Sequence, residues 1–140
     1  MIKKYRVFVP GAWDLFHIGH ICLLKKARKI ASKMIVGVDT DKSIKKRKGK
    51  FPIISFKDRV AILEACSGVD KVVSNKSGSL DVKQLIALNI EVVVVADDWK
   101  DKDLVGKNKV EEANIRIQYF PYTKGISSTK IKDKIRERIK

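Results

Sequence analysis

The chain has 140 residues, and its 31 Lys and Arg residues outnumber its 16 Asp and Glu residues, which gives a formal net charge of +15 at pH 7. This length suits one domain over residues 1–140 with a core of its own, and we expect no second domain. Short apolar runs, no secretory leader and only two cysteines exclude membrane-spanning and disulfide-stabilised classes, so we expect a cytoplasmic protein.

Hydrophobic periodicity predicts strands that alternate with helices along the chain. The predicted elements are a strand near 5–9, a helix over 19–32, a strand over 34–39, a helix over 56–66, a strand over 71–74, a helix over 80–89, strands over 91–96 and 115–120, and a helix over 128–138. A short helix is also expected within 104–113. The run over 92–96 is continuously apolar, as in a central strand covered on both faces. The chain therefore predicts an α/β fold built on a five-stranded parallel sheet.

Polar segments follow three of the predicted strands, and the carboxyl ends of parallel strands are where such folds bind ligands. These segments are residues 10–20 after the first strand, 97–99 after the fourth and 121–129 after the fifth. With the strand order 3-2-1-4-5, the first and fourth strands are neighbours where the order reverses. The three segments then converge on one site although they are far apart in the sequence.

The loop after the first strand carries two histidines three residues apart, in the stretch V-P-G-A-W-D-L-F-H-I-G-H at 9–20. His17 and His20 lie where a helix begins, and the free N–H groups of a helix start attract anions. Their imidazoles can donate hydrogen bonds to a phosphoryl group whose charge spreads during displacement. In the structural alternative, one histidine caps the helix and the other packs on the sheet. Gly11, Gly19 and Asp14 in the same loop favour a phosphate site over that alternative.

Six basic residues crowd the stretch after the second strand: Lys42, Lys45, Lys46, Arg47, Lys48 and Lys50. Like charges repel one another, so we expect an extended loop, and most charge runs are simply solvated. Gly49 inside the run favours a flexible flap that closes over a nucleotide. A lysine brought onto the α-phosphate by such a flap would stabilise the transition state.

Arg59 occupies the first turn of the helix predicted after Ser55, where the positive end of the helix dipole disfavours a cation. Ser55 and Asp58 have the Ser-x-x-acid form of a helix N-cap, which explains both of them. Two explanations of Arg59 are open at this point. Its partner is either a phosphate group of a substrate or a carboxylate of the protein in a salt bridge.

Two further segments combine ligand-binding and structural features. Asp97, Asp98 and Trp99 follow the fourth strand, either as a simple turn or as a wall beside a ligand. Residues 125–129 open the last helix, where hydroxyl and N–H groups together form an anion cradle. Ser127 or Ser128 would also cap that helix, and both roles can hold at once.

Taken together, these motifs resemble those of the cytidylyltransferase family. The matches are residues 11–20 with its G-x-F-D-x-x-H-x-G-H signature, 48–51 and Arg59 with its lysine loop and helix-opening arginine, 68–73 with its Y-V-D-x-V-V segment, 97–99 with its G-D-D-W motif and 125–129 with its G-I-S-T-T element. The matches follow the family's order over nearly the whole chain, which makes the set more specific than any one motif.

The resemblance implies a single Rossmann-like domain that transfers CMP from CTP to a small phosphorylated alcohol. Mg²⁺ would be bound through the triphosphate, with no dedicated metal ligands in the protein, and the small family members are homodimers. Glycerol 3-phosphate is the leading acceptor because of Asp98, Trp99 and the short chain. Phosphoethanolamine, phosphocholine and a sugar phosphate are the alternatives, the last with ATP as the donor.

The resemblance also assigns roles to individual residues of this sequence. The catalytic residues it implies are His17, His20 and Lys48. The nucleotide-binding residues it implies are Gly11, Ala12, Trp13, Gly19, Lys46, Asp97, Thr123, Gly125, Ile126, Ser127, Ser128 and Thr129. The residues it implies for contact with the acceptor are Asp14, Arg59, Asp98 and Trp99.

Three positions depart from the family pattern. Ala12 stands where a threonine is found in the glycerol-3-phosphate members, and Ser67 and Tyr122 stand where arginines are common. The loss of two guanidinium groups weakens the binding of phosphates unless another basic residue, such as Lys124, replaces them.

The excess of positive charge raises nucleic-acid binding as an alternative function. The basic residues are spread over every predicted helix, aromatic residues are few, and no RNA-binding or helix-turn-helix signature organises them. Charge of this kind attracts anionic substrates such as nucleoside triphosphates and binds nucleic acid only nonspecifically. A protein of the same fold that binds nucleotides or nucleic acid without turnover is the alternative from a different class.

Overall fold

The computed structural model describes residues 2–76, 80–97 and 104–139. In chain order the elements are β1 (Tyr5–Gly11), α1 (Ile18–Ile30), β2 (Ala31–Asp39), α2 (Asp41–Lys48), α3 (Phe56–Glu64), β3 (Lys71–Asn75), α4 (Val82–Ala87), β4 (Val92–Ala96), α5 (Lys107–Glu112), β5 (Arg116–Phe120) and α6 (Ser128–Arg138). The predicted alternation of strands and helices is confirmed. Within the described ranges no helix has the length and apolar character needed to cross a membrane.

All five strands join one parallel sheet in the order β3-β2-β1-β4-β5, as predicted. Successive residues of a strand point to opposite faces of the sheet, so the central strand β1 contributes to two cores. Val7 and Val9 pack with residues of α1 and α3 on one face. Phe8 packs with residues of α4 and α5 on the other face. The helices therefore cover both faces and leave the carboxyl ends of the strands for a site.

The basic stretch after β2 forms the helix α2, so the expectation of an extended loop is wrong. The hydroxyl of Thr40 accepts a hydrogen bond from the N–H of Ser43 and caps the start of this helix. Ser43 and Ile44 are buried, and Gly49 ends the helix in the left-handed conformation at a φ of 80°. Repulsion between exposed like charges costs only about 0.2–0.5 kcal/mol per pair on a helix, less than the roughly 1 kcal/mol of one cap.

The boundary between α1 and β2 also differs from the predicted one. The helix ends at Ile30 and the strand begins at once at Ala31, whereas the sequence pattern ends the helix at 32 and begins the strand at 34. Ala31 is buried and pairs with Tyr5, and the register shifts before Lys33 pairs with Arg6. An irregularity in the strand pair thus accommodates the early start of β2.

Candidate active site

A cavity of about 650 Å³ opens at the carboxyl ends of the strands, where the sequence predicts the site. It extends from the ends of β2 and β3 across the sheet to the segment that follows β5. The predicted site residues that line it are Gly11, Ala12, Trp13, Asp14, His17, Gly19, His20, Lys48, Thr123, Ile126, Ser127, Ser128 and Thr129. The loop after β1 and the segment after β5 therefore converge as expected.

Other predicted site residues lie away from this cavity or outside the described residues. The described residues that do not line the cavity are Lys46, Arg59, Asp97 and Gly125. Lys46 is exposed on α2, and Gly125 occupies an exposed turn with a φ of 85°. Asp98 and Trp99 fall outside the ranges that the structure describes, so their contact with the acceptor stays a prediction.

Each of the two histidines uses one ring nitrogen to cap the first turn of α1. Nδ1 of His17 accepts a hydrogen bond from the N–H of Gly19, and Nδ1 of His20 accepts one from the N–H of His17, both at 3.1 Å. A ring nitrogen that accepts a hydrogen bond carries no proton, so in the neutral ring the proton lies on Nε2. Capping thus leaves the Nε2–H group of each ring as a donor for a ligand. A capping role and a phosphate-binding role of the histidines are therefore compatible.

Aromatic rings hold the two imidazoles in place. The ring of His20 stacks between Phe16 and His17, with centroid distances of 5.1 and 3.9 Å, and Trp13 lies tilted against it at 5.3 Å. Gly19 is required by the same arrangement, since a Cβ at this position would lie 2.8 Å from Cε1 of His17. The two Nε2–H donors are therefore preorganised before any ligand binds.

Burial favours the neutral form of both imidazoles. Burial, and next the positive charge of His17, lower the pKa of His20 to about 4, although Asp14 opposes this shift. Burial also lowers the pKa of His17. The neutral state is the one the cap requires, because a protonated Nδ1 can no longer accept a hydrogen bond.

We expect the fold to lose stability as the pH falls from about 6.5 to about 4. In the unfolded chain His20 binds a proton at its ordinary pKa of 6.5, whereas in the folded chain it does so only at about 4. The unfolded state therefore binds more protons across this range, and the free energy of unfolding falls by roughly 3 kcal/mol in total. Urea unfolding of the wild type and of His20→Asn at pH 4.5, 5.5 and 7 measures this contribution. Equal pH dependence in the two proteins would contradict the assignment.

Two buried side chains fix the loop between β1 and α1. The indole N–H of Trp13 donates to the carbonyl of Gly37 at 3.0 Å. The Asp14 carboxylate accepts hydrogen bonds of 2.9–3.1 Å from the backbone N–H groups of Leu15, Ile53 and Ile54. Asp14 thereby joins the segment before α3 to the histidine loop. Its predicted contact with the acceptor stays a prediction beside this internal role.

The Arg59 guanidinium is fully buried and bound by the protein itself. Nη1 donates to the carbonyl groups of Ala12 and Asp39, and Nε donates to the carbonyl of Ile54. Nη2 forms an ion pair with Asp41 at 2.7 Å. Of the two explanations left open by the sequence, the structure shows the salt bridge. The Arg59 side chain is 0% exposed and does not line the cavity, so its predicted contact with the acceptor stays a prediction beside this internal role.

Lys48 is the last residue of α2 and lines the cavity. Partial burial, followed by the charges of Arg47 and Lys132, lowers the pKa of Lys48, whereas Asp39 and Asp14 oppose the shift. Lys132 belongs to α6, so two helices bring positive charge to the same place. Positive charge concentrated in this way attracts an anionic ligand.

The start of α6 also lines the cavity. The hydroxyl of Ser127 accepts a hydrogen bond from the N–H of Lys130 at 3.0 Å and caps the helix. Ser127, Ser128 and Thr129 all line the cavity. A helix start with hydroxyl groups around it is a favourable place for an anion.

Tyr122 shapes the segment before α6. Its hydroxyl donates to the carbonyl of Ile126 at 3.0 Å, and its backbone N–H donates to the carboxylate of Asp97 at 2.9 Å. The residue that replaces the family's arginine is therefore tied to the backbone of its own loop. Asp97, predicted to contact the nucleotide, holds this loop and does not line the cavity.

The sequence left Asp39 open between a solvated loop and a contact with the base or the flap, and it did not identify Arg47 or Asn75 as site residues. All three line the cavity. Asp39 and Asn75 are the last residues of β2 and β3. Polar residues at the carboxyl ends of neighbouring parallel strands are the signal that could have identified Asp39 and Asn75.

Comparisons with known proteins agree with this geometry. A family profile described as cytidylyltransferase-like matches residues 8–134. The chain is 36% identical to glycerol-3-phosphate cytidylyltransferase of Bacillus subtilis (strain 168) over 131 residues, which cover 93% of this chain and 96% of that enzyme. It is 35% identical to FAD synthase of Pyrococcus horikoshii over 122 residues, which cover 86% and 82% of the two chains. The structure of a lipopolysaccharide core biosynthesis protein from Thermoplasma volcanium GSS1 is similar, with a TM-score of 0.70 and 25% identity over 87% of this chain and 98% of that one.

Proposed function

Because the chain belongs to the cytidylyltransferase-like family and is a nucleotidyltransferase, we propose that it transfers CMP from CTP to glycerol 3-phosphate. A phosphate oxygen of the acceptor attacks the α-phosphorus of CTP in line. The bond between the α-phosphorus and the oxygen bridging to the β-phosphate breaks, and CDP-glycerol and pyrophosphate form. The observation that carries the proposal is the pair of preorganised Nε2–H donors of His17 and His20.

In this mechanism the histidines bind the α-phosphate. Negative charge spreads over the non-bridging oxygens while the bond to the attacking oxygen forms and the bond to the leaving oxygen breaks. Neutral imidazoles held in a fixed orientation donate hydrogen bonds to those oxygens without reorganising during the reaction. No proton transfer and no covalent enzyme intermediate is required of His17 or His20.

Positive groups from α2 and α6 complete the site. The Lys48 ammonium approaches from the end of α2, where it balances charge on the α-phosphate. The start of α6, with Ser127, Ser128 and Thr129, binds the β- and γ-phosphates and then the departing pyrophosphate. Both groups line the same cavity as the histidines, which suits one triphosphate held along its length.

We expect Mg²⁺ to enter the site on the triphosphate. Asp14 and Asp39, the carboxylates that line the described part of the cavity, already accept hydrogen bonds or pair with an arginine. Nowhere in the described ranges do three His, Cys, Asp or Glu side chains come together as a metal-binding group. A Mg²⁺ ion that keeps most of its waters and binds phosphate oxygens needs no such group.

Glycerol 3-phosphate is favoured over other acceptors by the similarity to glycerol-3-phosphate cytidylyltransferase, which extends over almost the full length of both chains. Adenylyl transfer from ATP is the second candidate, because the similarity to an FAD synthase is nearly as high. Its acceptors would be a sugar phosphate or flavin mononucleotide. Phosphoethanolamine and phosphocholine remain as alternative acceptors for CTP.

Pyrophosphate release measured for each donor and acceptor pair tests the proposal. The donors are CTP, ATP, GTP and UTP with Mg²⁺, and the acceptors are glycerol 3-phosphate, phosphoethanolamine, phosphocholine, a sugar 1-phosphate and flavin mononucleotide. We expect kcat/KM to be highest for CTP with glycerol 3-phosphate, with His17→Ala as the background control. A higher value for ATP with any acceptor would favour the second candidate. Nucleotide binding without turnover of any pair would favour the non-catalytic alternative.

We expect the enzyme to act as a homodimer in the cytoplasm, where nucleoside triphosphates are available. Light scattering of the purified chain at several concentrations measures the oligomeric state. The net charge of +15 predicts salt-sensitive, nonspecific retention on nucleic acid, which should disappear at high ionic strength.

A further inference from the structure

Asp39 is a carboxylate at the carboxyl end of β2, beside the cavity, and is only 3% exposed. A buried charge is destabilising unless it is paired and hydrogen-bonded. Oδ1 of Asp39 accepts a hydrogen bond from Nδ2 of Asn75 at 3.0 Å, and Oδ2 lies 3.1 Å from Nη2 of Arg47. Asp39 and Asn75 are register partners on β2 and β3, so the sheet itself fixes the position of this carboxylate.

Arg47 lies in the last turn of α2, one residue before Lys48. The first half of this helix is anchored by the buried Ser43 and Ile44. Residues 45–50, all of which the structure describes, are exposed, and four of them in a row are positively charged. This half of the helix therefore has no apolar anchor and is under charge repulsion. The ion pair between Arg47 and Asp39 joins it to the sheet.

We propose that Asp39 and Asn75 are positioning residues, which hold Arg47 and thereby place the Lys48 ammonium at the cavity. Neither side chain needs to touch CTP or the acceptor for this role. The part that concerns turnover rests on the proposed function, because it requires Lys48 to act on the α-phosphate. The placement of α2 can be measured without any turnover.

Loss of the Asp39 charge should affect kcat more than the binding of CTP. Lys48 acts on charge that develops in the transition state, so its displacement raises the activation barrier and changes ground-state binding little. We expect Asp39→Asn to lower kcat by about tenfold and to change KM for CTP by less than about twofold. Asn75→Ala removes one hydrogen bond and leaves the ion pair, so we expect a fall in kcat of about threefold.

Asp70→Asn is the matched control for Asp39→Asn. Asp70 also pairs with an arginine, Arg28, at 2.9 Å and also links β2 to β3, by accepting a hydrogen bond from the N–H of Met34. It lies just before β3, at the opposite end of that strand from Asn75 and away from the cavity lining. We expect its kcat to stay within about twofold of the wild type.

A double substitution separates action through Arg47 from a general loss of structure. If Asp39 acts by holding Arg47, then Asp39→Asn combined with Arg47→Gln lowers kcat no further than Arg47→Gln alone, because the two changes are not additive. Arg47→Lys keeps the charge and should recover part of the kcat lost in Arg47→Gln. Additive losses in the double variant would overturn the proposal.

Hydrogen exchange of the full chain supplies the readout that does not depend on activity. We expect the backbone N–H groups of residues 46–49 to exchange about tenfold faster in Asp39→Asn than in the wild type. In Asp70→Asn their exchange rates should equal those of the wild type. Wild-type exchange at these positions in Asp39→Asn would overturn the proposal. If Asp39→Asn does not fold, the same comparison is made with Asn75→Ala. If no donor and acceptor pair reacts, the proposed function fails, and exchange alone decides the positioning role.

Discussion

We expect the replacement of His17 or His20 by alanine to lower kcat about a hundredfold or more, because each change removes an Nε2–H donor from the transition state. Asparagine makes the sharper test. Its side-chain oxygen reaches about as far as Nδ1 does, so it can still cap α1, but it has no group in the place of Nε2. We expect the two asparagine variants to lose as much kcat as the alanine variants. Their free energies of unfolding in urea should stay within about 1 kcal/mol of the wild type at pH 7.

Glutamine at the same positions is the converse control. Its terminal amide extends to about the position of Nε2 and can donate there, but its side chain has no acceptor in the place of Nδ1. The glutamine variants should therefore keep more kcat than the asparagine variants and lose more stability. Should the asparagine variants instead keep more than about a tenth of the wild-type kcat, the Nε2–H groups are not the donors that the mechanism requires.

We expect the replacement of Arg59 by methionine to lower the free energy of unfolding by about 3–5 kcal/mol. The substitution retains an unbranched side chain but removes every donor of the guanidinium. Asp41 then lacks its ion-pair partner, and three carbonyl groups that accept hydrogen bonds from Arg59 are left unsatisfied. Arg59→Lys should recover only part of the loss, because one ammonium cannot reach four acceptors spread around a planar group. Urea unfolding followed by circular dichroism measures both variants.

Lys57→Met on the same helix is the matched control for this prediction. Lys57 is exposed, and we expect its replacement to change the free energy of unfolding by less than about 0.5 kcal/mol. The result that would contradict this prediction is an Arg59→Met protein that is as stable as the wild type and has a raised KM for the acceptor. That outcome would assign the guanidinium to substrate binding and contradict its internal role.

The fold could be predicted from the sequence because its strongest signals are local. The continuously apolar β4 and the helical spacing in α1 indicate their structures without any tertiary information. The strand order then follows from the ligand-binding geometry of such sheets and from the family resemblance. α2 could not be predicted in the same way. The run of positive charge in α2 is visible in the sequence and predicts a loop. The Thr40 cap and the burial of Ile44, which outweigh the repulsion between these charges, depend on the packed structure.

The candidate site was predictable where one loop carries the chemistry and less so where distant segments meet. His17 and His20 are three residues apart, and their position at the start of a helix is visible in the sequence. Arg59 has acceptors in four separate residues, so its burial depends on contacts that no local pattern reveals. The pairing of Asp39 with Asn75 depends on strand register across 36 positions of sequence.

Nitrogen-15 NMR of the imidazole rings tests the central claim most directly, with the labelled protein at pH 7 before and after addition of Mg²⁺ and a nonhydrolysable CTP analogue. The account predicts that His17 and His20 are both neutral with the proton on Nε2, and that the Nε2 resonances shift when the nucleotide binds. Protons on Nδ1, charged rings, or Nε2 resonances unchanged by a bound nucleotide would contradict it.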